Sequence, residues 1–519
     1  MPHASPRYQA GRGAGGHHPA VVVGAGLVGL TLALDLAQQG VPVVVVDEDD
    51  TVSTGSRAIC VAKRSLEIFG RLGLGERMLA KGVTWNTGRV FRGDRPLFAF
   101  DLLPEAGHQY PAFINLQQYY VEEWLVEACL ATGLVDLRWR HRLAGVQPHA
   151  SGATLQVEAP DGPYTLTADW LLAADGARSQ VRRALGLPFT GRTFRDRFLI
   201  ADVVMQADVP AERRFWFDPP FHRNQSALLH KQPDNVWRID LQLGWDADPV
   251  LEVLPERVIP RVQAMLGPEA VFELEWVSIY TFRCRRLERF VHGRVVFVGD
   301  SAHQVSPFGA RGGNGGVQDA DNLAWKLAAV IAGRAPAALV RTYDDERVPA
   351  ADENILHSTR ATDFITPKTE AALAYRDAAL ALAGQHAFAR PLVNSGRLSR
   401  PYTMADSPLH ASGDGWPDCL PPGTPAVDAP IEGGWLLQRV RGFTALVFEP
   451  TGPLPAADGF GLVALPCTGL AAARYGAFPG ACVLLRPDQH VLALFRRYDP
   501  ARIRAAIGHA LMQPALELA

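Results

Sequence analysis

The 519-residue sequence predicts an α/β fold: a parallel sheet covered by helices, interrupted by a mostly antiparallel sheet. Three observations carry that reading. Residues 20–23 are a short apolar run ending in glycines, a helical pattern follows to Gln39, and residues 41–46 are almost all valine. Such a strand–turn–helix–strand unit starts a parallel sheet. From Phe194 to Phe282 the texture changes. Aromatic and β-branched runs such as FLIADVVM, VWRIDLQL and WVSIYTF alternate with polar residues, as antiparallel strands do. Residues 295–298 are again all apolar and 318–331 are strongly helical, so the second unit interrupts the first.

In chain order, residues 1–19 are rich in Gly, His and Arg and read as a flexible tail. Residues 20–190 form the first part of the parallel-sheet unit. They hold helices near 65–79 and 119–132 and paired strands at 154–157 and 164–168. A buried strand at 170–174 leads into Asp175-Gly176, and residues 84–112 make an excursion towards the inserted sheet. The inserted sheet spans 191–282. Residues 283–411 complete the first unit and add a helical region broken at Pro367. The Gly/Pro-rich stretch 412–425 reads as a linker. Residues 426–519 read as a small α/β unit with strands at 443–448 and 482–485 and a closing helix at 500–511.

Composition excludes several classes. Basic residues number 51 and acidic residues 54, a net charge of −3, so no broad nucleic-acid surface is expected. Six cysteines show neither a CxxC pair nor zinc-ligand spacing, so no metal site is expected and a reducing cytoplasm fits. The amino terminus lacks the apolar core of a secretory leader, and no apolar run is long enough for a membrane span.

Three segments carry chemistry. Gly24-Ala-Gly26-Leu-Val-Gly29 sits between a strand and a helix. Gly24 permits the tight turn, Gly26 lets a pyrophosphate approach the backbone, and Gly29 lets helix and strand pack closely. Asp47 ends the second strand and can accept hydrogen bonds from ribose hydroxyls. A second match, Gly11–Gly16, has no strand before it and reads as accidental. Asp175-Gly176 closes another apolar strand. Gly299-Asp300 closes a third, followed by Ser306-Pro307-Phe-Gly-Ala-Arg-Gly312-Gly313-Asn314 and then a helix. A glycine-dense loop before a helix points free N–H groups at a ligand.

Together these segments resemble the single-component FAD-dependent aromatic hydroxylases, the family of para-hydroxybenzoate, phenol and hydroxyphenylpropionate hydroxylases. The resemblance covers about residues 20–365. It implies FAD as cofactor, NADPH or NADH as a transient electron donor, and O2 as co-substrate. It implies hydroxylation of a phenolic or other electron-rich ring through a flavin C4a-hydroperoxide. By the same resemblance, Arg57 and Gln118 contact FAD, Asp175 serves FAD and nicotinamide, and Gly299-Asp300 holds the ribityl chain. Pro307 lies beside the reactive face of the flavin, Gly313 and Asn314 serve its pyrimidine end, and Gly312 binds the cofactor from the same loop. Asp47 stands where Glu is usual, and Ser306 replaces the first residue of a common Pro-Pro pair. Residues 426–519 are similar to the thioredoxin-like carboxy-terminal domain of the phenol hydroxylase branch, without a CxxC.

Candidates for the aromatic site lie on the inserted sheet. If 214–217 is a strand, Arg214 and Trp216 share one face and Phe215 and Phe217 the other. His222, Tyr280 and Arg214 are candidates to activate the ring; Trp216, Phe217 and Arg283 are candidates to contact it. The partners implied are a small aromatic molecule and, as an option, a second copy of the chain. A halogenase, a Baeyer–Villiger enzyme, a flavin dehydrogenase and a non-catalytic FAD protein are the alternatives; the WxWxIP segment of halogenases is absent.

Overall fold

The computed structural model describes residues 3–514 apart from 12, 56, 208–209, 394–397, 451, 453 and 455–458. The accidental glycine motif therefore includes one residue outside the described set, Arg12, and Arg57 follows another, Ser56.

Five parallel strands form the spine of the first sheet, in the order Val295–Phe297, Gly162–Ala173, Gly16–Val23, Val43–Asp47 and Val135–Trp139. Their residues are buried on both faces, which is why the valine runs show no alternation. The first strand begins at Gly16, four residues before the apolar run, because His17 and His18 extend the pairing with Thr167 and Ala168. The segment read as a flexible tail also packs: Tyr8 stacks on Trp139 with ring centroids 4.6 Å apart.

Other elements differ in their boundaries. The helix expected near 65–79 is two helices, Lys63–Arg71 and Gly75–Lys81, broken where Gly73 takes φ +90°. The helix expected from 318 starts at Gly312, so its first turn is made of the glycines themselves. Helix Thr342–Ile365 ends before Pro367 as anticipated and carries Pro349 within it.

The inserted sheet has eight strands and is mixed. It is antiparallel except where Arg213–Phe217 runs parallel to Thr87–Arg92. Strands Thr87–Arg92 and Arg95–Asp101 reach it from the first unit, and Thr190–Val204 and Glu273–Arg286 form its long centre. One face packs against helix Pro255–Leu266 through Leu199, Ile239, Leu241 and Val258. The other carries Phe198, Phe217, Leu228 and Phe282 and turns towards the helical region.

The carboxy-terminal sheet has the order Gly461–Leu465, Thr444–Phe448, Cys482–Leu485, Val491–Phe495; the first pair is parallel and the others antiparallel. The stretch 412–425 packs against it. Trp416 is buried there, and the Asp414 N–H donates to the Leu494 carbonyl at 2.8 Å. Arg486 and Asp488 enter the first unit and lie fully buried among Glu346, Lys326, Asn322 and Arg64. Arg486 Nη2 donates to Glu346 Oε2 at 2.9 Å, Trp325 Nε1 to Asp488 Oδ2 at 3.1 Å, and Arg64 Nη2 to the Asp488 carbonyl at 2.7 Å. Burial alone would raise the Glu346 pKa; Arg486 and Lys326 outweigh it and hold the carboxyl below its usual range.

Removing one partner leaves the others charged and dry. Arg486→Met is therefore expected to cost about 3–5 kcal/mol, read as a lower denaturation midpoint of the whole chain. A depressed carboxyl pKa contributes stability that is present above the unfolded value and lost as the pH falls through the folded one. The denaturation midpoint is thus expected to drop below about pH 5, and a midpoint level down to pH 3 would contradict this.

Candidate functional site

The first glycine turn is shaped by contacts that admit no side chain. Gly24 has φ +107°, and a Cβ there would stand 2.5 Å from the Ala174 carbonyl oxygen. A Cβ on Gly29 would stand 2.0 Å from the Gly24 carbonyl oxygen. Gly26 differs: the nearest atom to its Cβ position is Glu122 Oε1 at 3.7 Å, so the space above it is open. Asp47 closes the turn by accepting from the N–H groups of Ala25 and, at 2.9 Å, Asp49. Burial raises its pKa to about 6.

Glu122, which the sequence did not single out, ties the turn together. It is fully buried; Oε1 accepts from Leu27 N–H at 2.8 Å and Gln118 Nε2 at 2.7 Å, and Oε2 accepts from Ser53 N–H at 2.8 Å. Gln118 Oε1 in turn accepts from Ala58 N–H at 3.1 Å. Gly26 N–H is left without an acceptor among the described residues.

The second and third acidic turns adjoin this one. Asp175 Oδ2 accepts from Gln180 and Val181 N–H at 2.7 and 3.0 Å, while Oδ1 is buried without a partner among the described residues. Gly299 has φ +60°, and its N–H donates to Asp319 Oδ2 at 3.1 Å. Asp319 also binds His303 Nε2 at 2.6 Å and accepts from Arg347 Nε at 2.7 Å. Burial would raise the Asp319 pKa, but these two partners bring it down to about 2. The neighbouring Asp300 is open to solvent yet deep among protein atoms, as a group on a groove floor is, and burial raises its pKa. No described residue hydrogen-bonds its carboxylate.

Helix Gly312–Ile331 begins beside helix Leu27–Gln38: a Cβ on Gly313 would stand 3.3 Å from Leu27 Cδ2 and 3.5 Å from Ala58 Cβ. Its first N–H groups, of Gly312, Gly313 and Asn314, have no acceptor among the described residues. The Asn314 side chain is committed to protein. Its Oδ1 accepts from Ala62 N–H and the Ser65 hydroxyl, and its Nδ2 donates to the Cys60 and Ala310 carbonyls. Two helix N-termini, three acidic turns and open space over Gly26 and Gly176 thus meet in one groove, a fit for an anionic dinucleotide.

Beside the groove lies a cavity of about 300 Å³, walled by Phe100, Phe215, Phe217, Phe308, Phe364 and Ile365. Phe308 and Gly309 are shared between this wall and the loop that follows Pro307. The cavity-facing surface of the sheet is divided: one half is phenylalanine and leucine, and the other holds Arg213, His230, Arg238 and Asp240.

A family model described as an FAD binding domain matches residues 17–358. The chain is 35% identical over 412 residues to 6-methylpretetramide 4-monooxygenase of Streptomyces rimosus, covering 76% of this chain and 72% of that protein. It is 30% identical over 357 residues to 3-(3-hydroxy-phenyl)propionate/3-hydroxycinnamic acid hydroxylase of Mycolicibacterium smegmatis, covering 69% of this chain and 63% of that protein. The chain belongs to the FAD-dependent aromatic monooxygenases. Its fold is that of the flavin-dependent monooxygenase PieE, solved with FAD and substrate: TM-score 0.81 and 23% identity over 96% of this chain and 99% of that one.

Within this monooxygenase the turns around Gly24, Gly26, Gly29, Asp47, Gln118, Asp175, Gly299 and Asp300 border one groove. Arg57 is exposed, and its carbonyl accepts from Arg238 Nη1 at 3.1 Å. Tyr280 is 41% exposed and stands near Asp300 on the cavity-facing side of the sheet. The remaining candidates are placed as follows. Trp216 lies on the far face, stacked on Phe91 at 5.0 Å and packed beside Phe221. Arg214 points with it and donates to Glu212 Oε1 at 2.8 Å, a structural ion pair. His222 Nε2 binds the Gln242 carbonyl at 2.6 Å, outside the cavity wall. Arg283 is exposed and outside that wall too. Phe217 does line the cavity.

Replacing Asp300 with Ala removes an accessible acceptor that no protein group uses. The loss is expected to cost roughly 1.5–3 kcal/mol of FAD binding, about ten- to a hundredfold in Kd, measured by flavin fluorescence during titration of the apoprotein. Unchanged affinity would exclude Asp300 from the FAD site.

Proposed function

We propose that this monooxygenase hydroxylates a phenolic or similarly electron-rich ring held in the phenylalanine-walled cavity, with NADPH or NADH and O2 as the other reactants. One observation carries the reading: the wall residues Phe308 and Gly309 belong to the same loop that leads from Pro307 to the free N–H groups of Gly312, Gly313 and Asn314. A ring in the cavity is thereby set against the end of the cofactor groove. The names of the two relatives, one acting on 6-methylpretetramide and the other on a hydroxyphenylpropionate, support an aromatic substrate.

In this reading Gly24, Gly26 and Gly29 would take the pyrophosphate, Asp47 the adenosine ribose, and Asp300 the ribityl chain. Arg57, Gln118 and Asp175 would flank the groove. The first turn of helix Gly312–Ile331 would face the pyrimidine end of the ring, its N–H groups and dipole favouring negative charge there. Bound FAD supplies the hydride acceptor and the centre at which O2 is activated. The protein's task is then to orient the substrate and keep water out, which the apolar walls do. Pro307 is exposed at the edge of the groove, where its loop can border both ligands.

The only sound dinucleotide turn among the described residues is assigned to FAD, so the nicotinamide would bind transiently, near Arg57 and residues 175–178. We read residues 426–519 as a thioredoxin-like unit, supported by the strand order and senses of its four-stranded sheet. All six cysteines are unpaired, which suits a cytoplasmic setting.

An aromatic can control the reductive half-reaction only through different affinity for two states of the site. Anaerobic stopped-flow reduction by NADPH or NADH is expected to run about a hundredfold faster with the ring that is turned over, a difference of about 2.8 kcal/mol. Equal rates with and without it would contradict this coupling.

A further inference from the structure

The cavity has a charge pattern that its apolar walls do not require. Arg213, Arg311, Arg360 and His357 line it, with Arg89 at its edge on the face of the sheet shared with Arg214, and no carboxylate lines it among the described residues. Some of this charge is answered within the protein. Arg89 forms a bidentate pair with Glu212 at 3.1–3.2 Å, and Arg311 Nη1 donates to Asn354 Oδ1 at 3.0 Å. The guanidinium groups of Arg213 and Arg360 have no hydrogen-bond partner among the described residues.

Arg213 stands at the seam of the divided sheet face. Strand alternation puts it on the same side as Phe215 and Phe217, so the guanidinium and the two rings face one space. The carboxylate that acts on it is Asp240, and Arg238 Nε already donates to that carboxylate at 2.8 Å. Burial lowers the Arg213 pKa, the mark of a cation held partly out of water without full compensation. Such an arrangement destabilises the empty protein and is relieved when an anion arrives. The Arg213 backbone also pairs with Gly88 of the neighbouring strand, so its root is fixed by the sheet.

We propose that the cavity selects aromatic substrates bearing a negative charge, a carboxylate or an acidic phenol or enol, with Arg213 receiving the anionic group and Arg360 adding attraction at the rim. This deepens the hydroxylase reading and rests on it. The guanidinium offers a planar fork that matches a carboxylate or a pair of adjacent ring oxygens. An apolar wall on one side and a cationic side centred on Arg213 also orient the ring, because the charged end settles away from the phenylalanines.

The test uses FAD-loaded protein and matched pairs of probes: 3-(3-hydroxyphenyl)propionate and 3-hydroxy-2-naphthoate, each against its methyl ester. Binding is followed by perturbation of the flavin absorption band, and NAD(P)H oxidation is measured in parallel for KM and kcat. The acids are expected to bind about tenfold or more tightly than their esters. Arg213→Gln is expected to bring that ratio close to one by raising KM for the acids, with ester affinity unchanged, and Arg213→Lys to restore part of it. Equal affinity for acid and ester overturns the proposal, as does a preference that survives both Arg213→Gln and Arg360→Gln. Esters that drive NAD(P)H oxidation as well as the acids do would overturn it while leaving the hydroxylase reading intact. If neither form of either probe perturbs the flavin or speeds oxidation, both readings fall.

Discussion

The site depends on how closely two helices approach. Val28, in the first turn of helix Leu27–Gln38, sits against Gly299 and Gly316: a Cβ on Gly316 would stand 2.5 Å from Val28 Cγ2, and one on Gly299 would stand 3.0 Å from it. Any side chain at those positions would push the long helix Gly312–Ile331 away. Because both are glycine, the two helix N-termini open into the same groove, and the Gly299-Asp300 turn is wedged between them. One anionic dinucleotide can then use both helix dipoles, which neither helix could offer alone at that range. Asp319 locks the arrangement from below by holding the Gly299 N–H, His303 and Arg347 at once.

The inserted sheet is the second partner in this geometry. Its outer face is closed by helix Pro255–Leu266, so the inner face is the one left to meet a ligand. That face is apolar where it meets Phe308 and Phe364 and charged where it meets residues 57–60. The carboxy-terminal unit supports the other side of the long helix. Arg486 joins Lys326 at Glu346, and Asp488 accepts from Asn322 Nδ2 and from Trp325 Nε1, which has no other acceptor among the described residues.

Much of this was legible in the sequence because glycine turns write their purpose locally. Gly24–Gly29, Asp47, Asp175-Gly176 and Gly299-Asp300 each combine a strand end with a residue type that the chemistry needs, and their order points to FAD. Glu122 and Asp319 were not legible in the same way. Each works by joining three segments distant in sequence, and a lone acid on a helix carries no sign of that. Strand alternation correctly divided Arg214 and Trp216 from Phe215 and Phe217, but it could not say which pair faces the cavity. Both rows contain aromatic residues, and the deciding fact is the helix that covers one of them. The same limit hid Arg213: an arginine at a strand end reads as a solvated residue until the neighbouring elements enclose it.

In the proposed reaction, oxygen from O2 is placed on a ring held against the loop 307–314. Turnover under ¹⁸O2 in ordinary water, with mass spectrometry of the hydroxylated product, tests this most directly. The prediction is one ¹⁸O atom per product molecule, and none when the label is supplied as H2¹⁸O. A product that takes its oxygen from water, or NAD(P)H consumed with all of the O2 recovered as peroxide for every aromatic that binds, would contradict it.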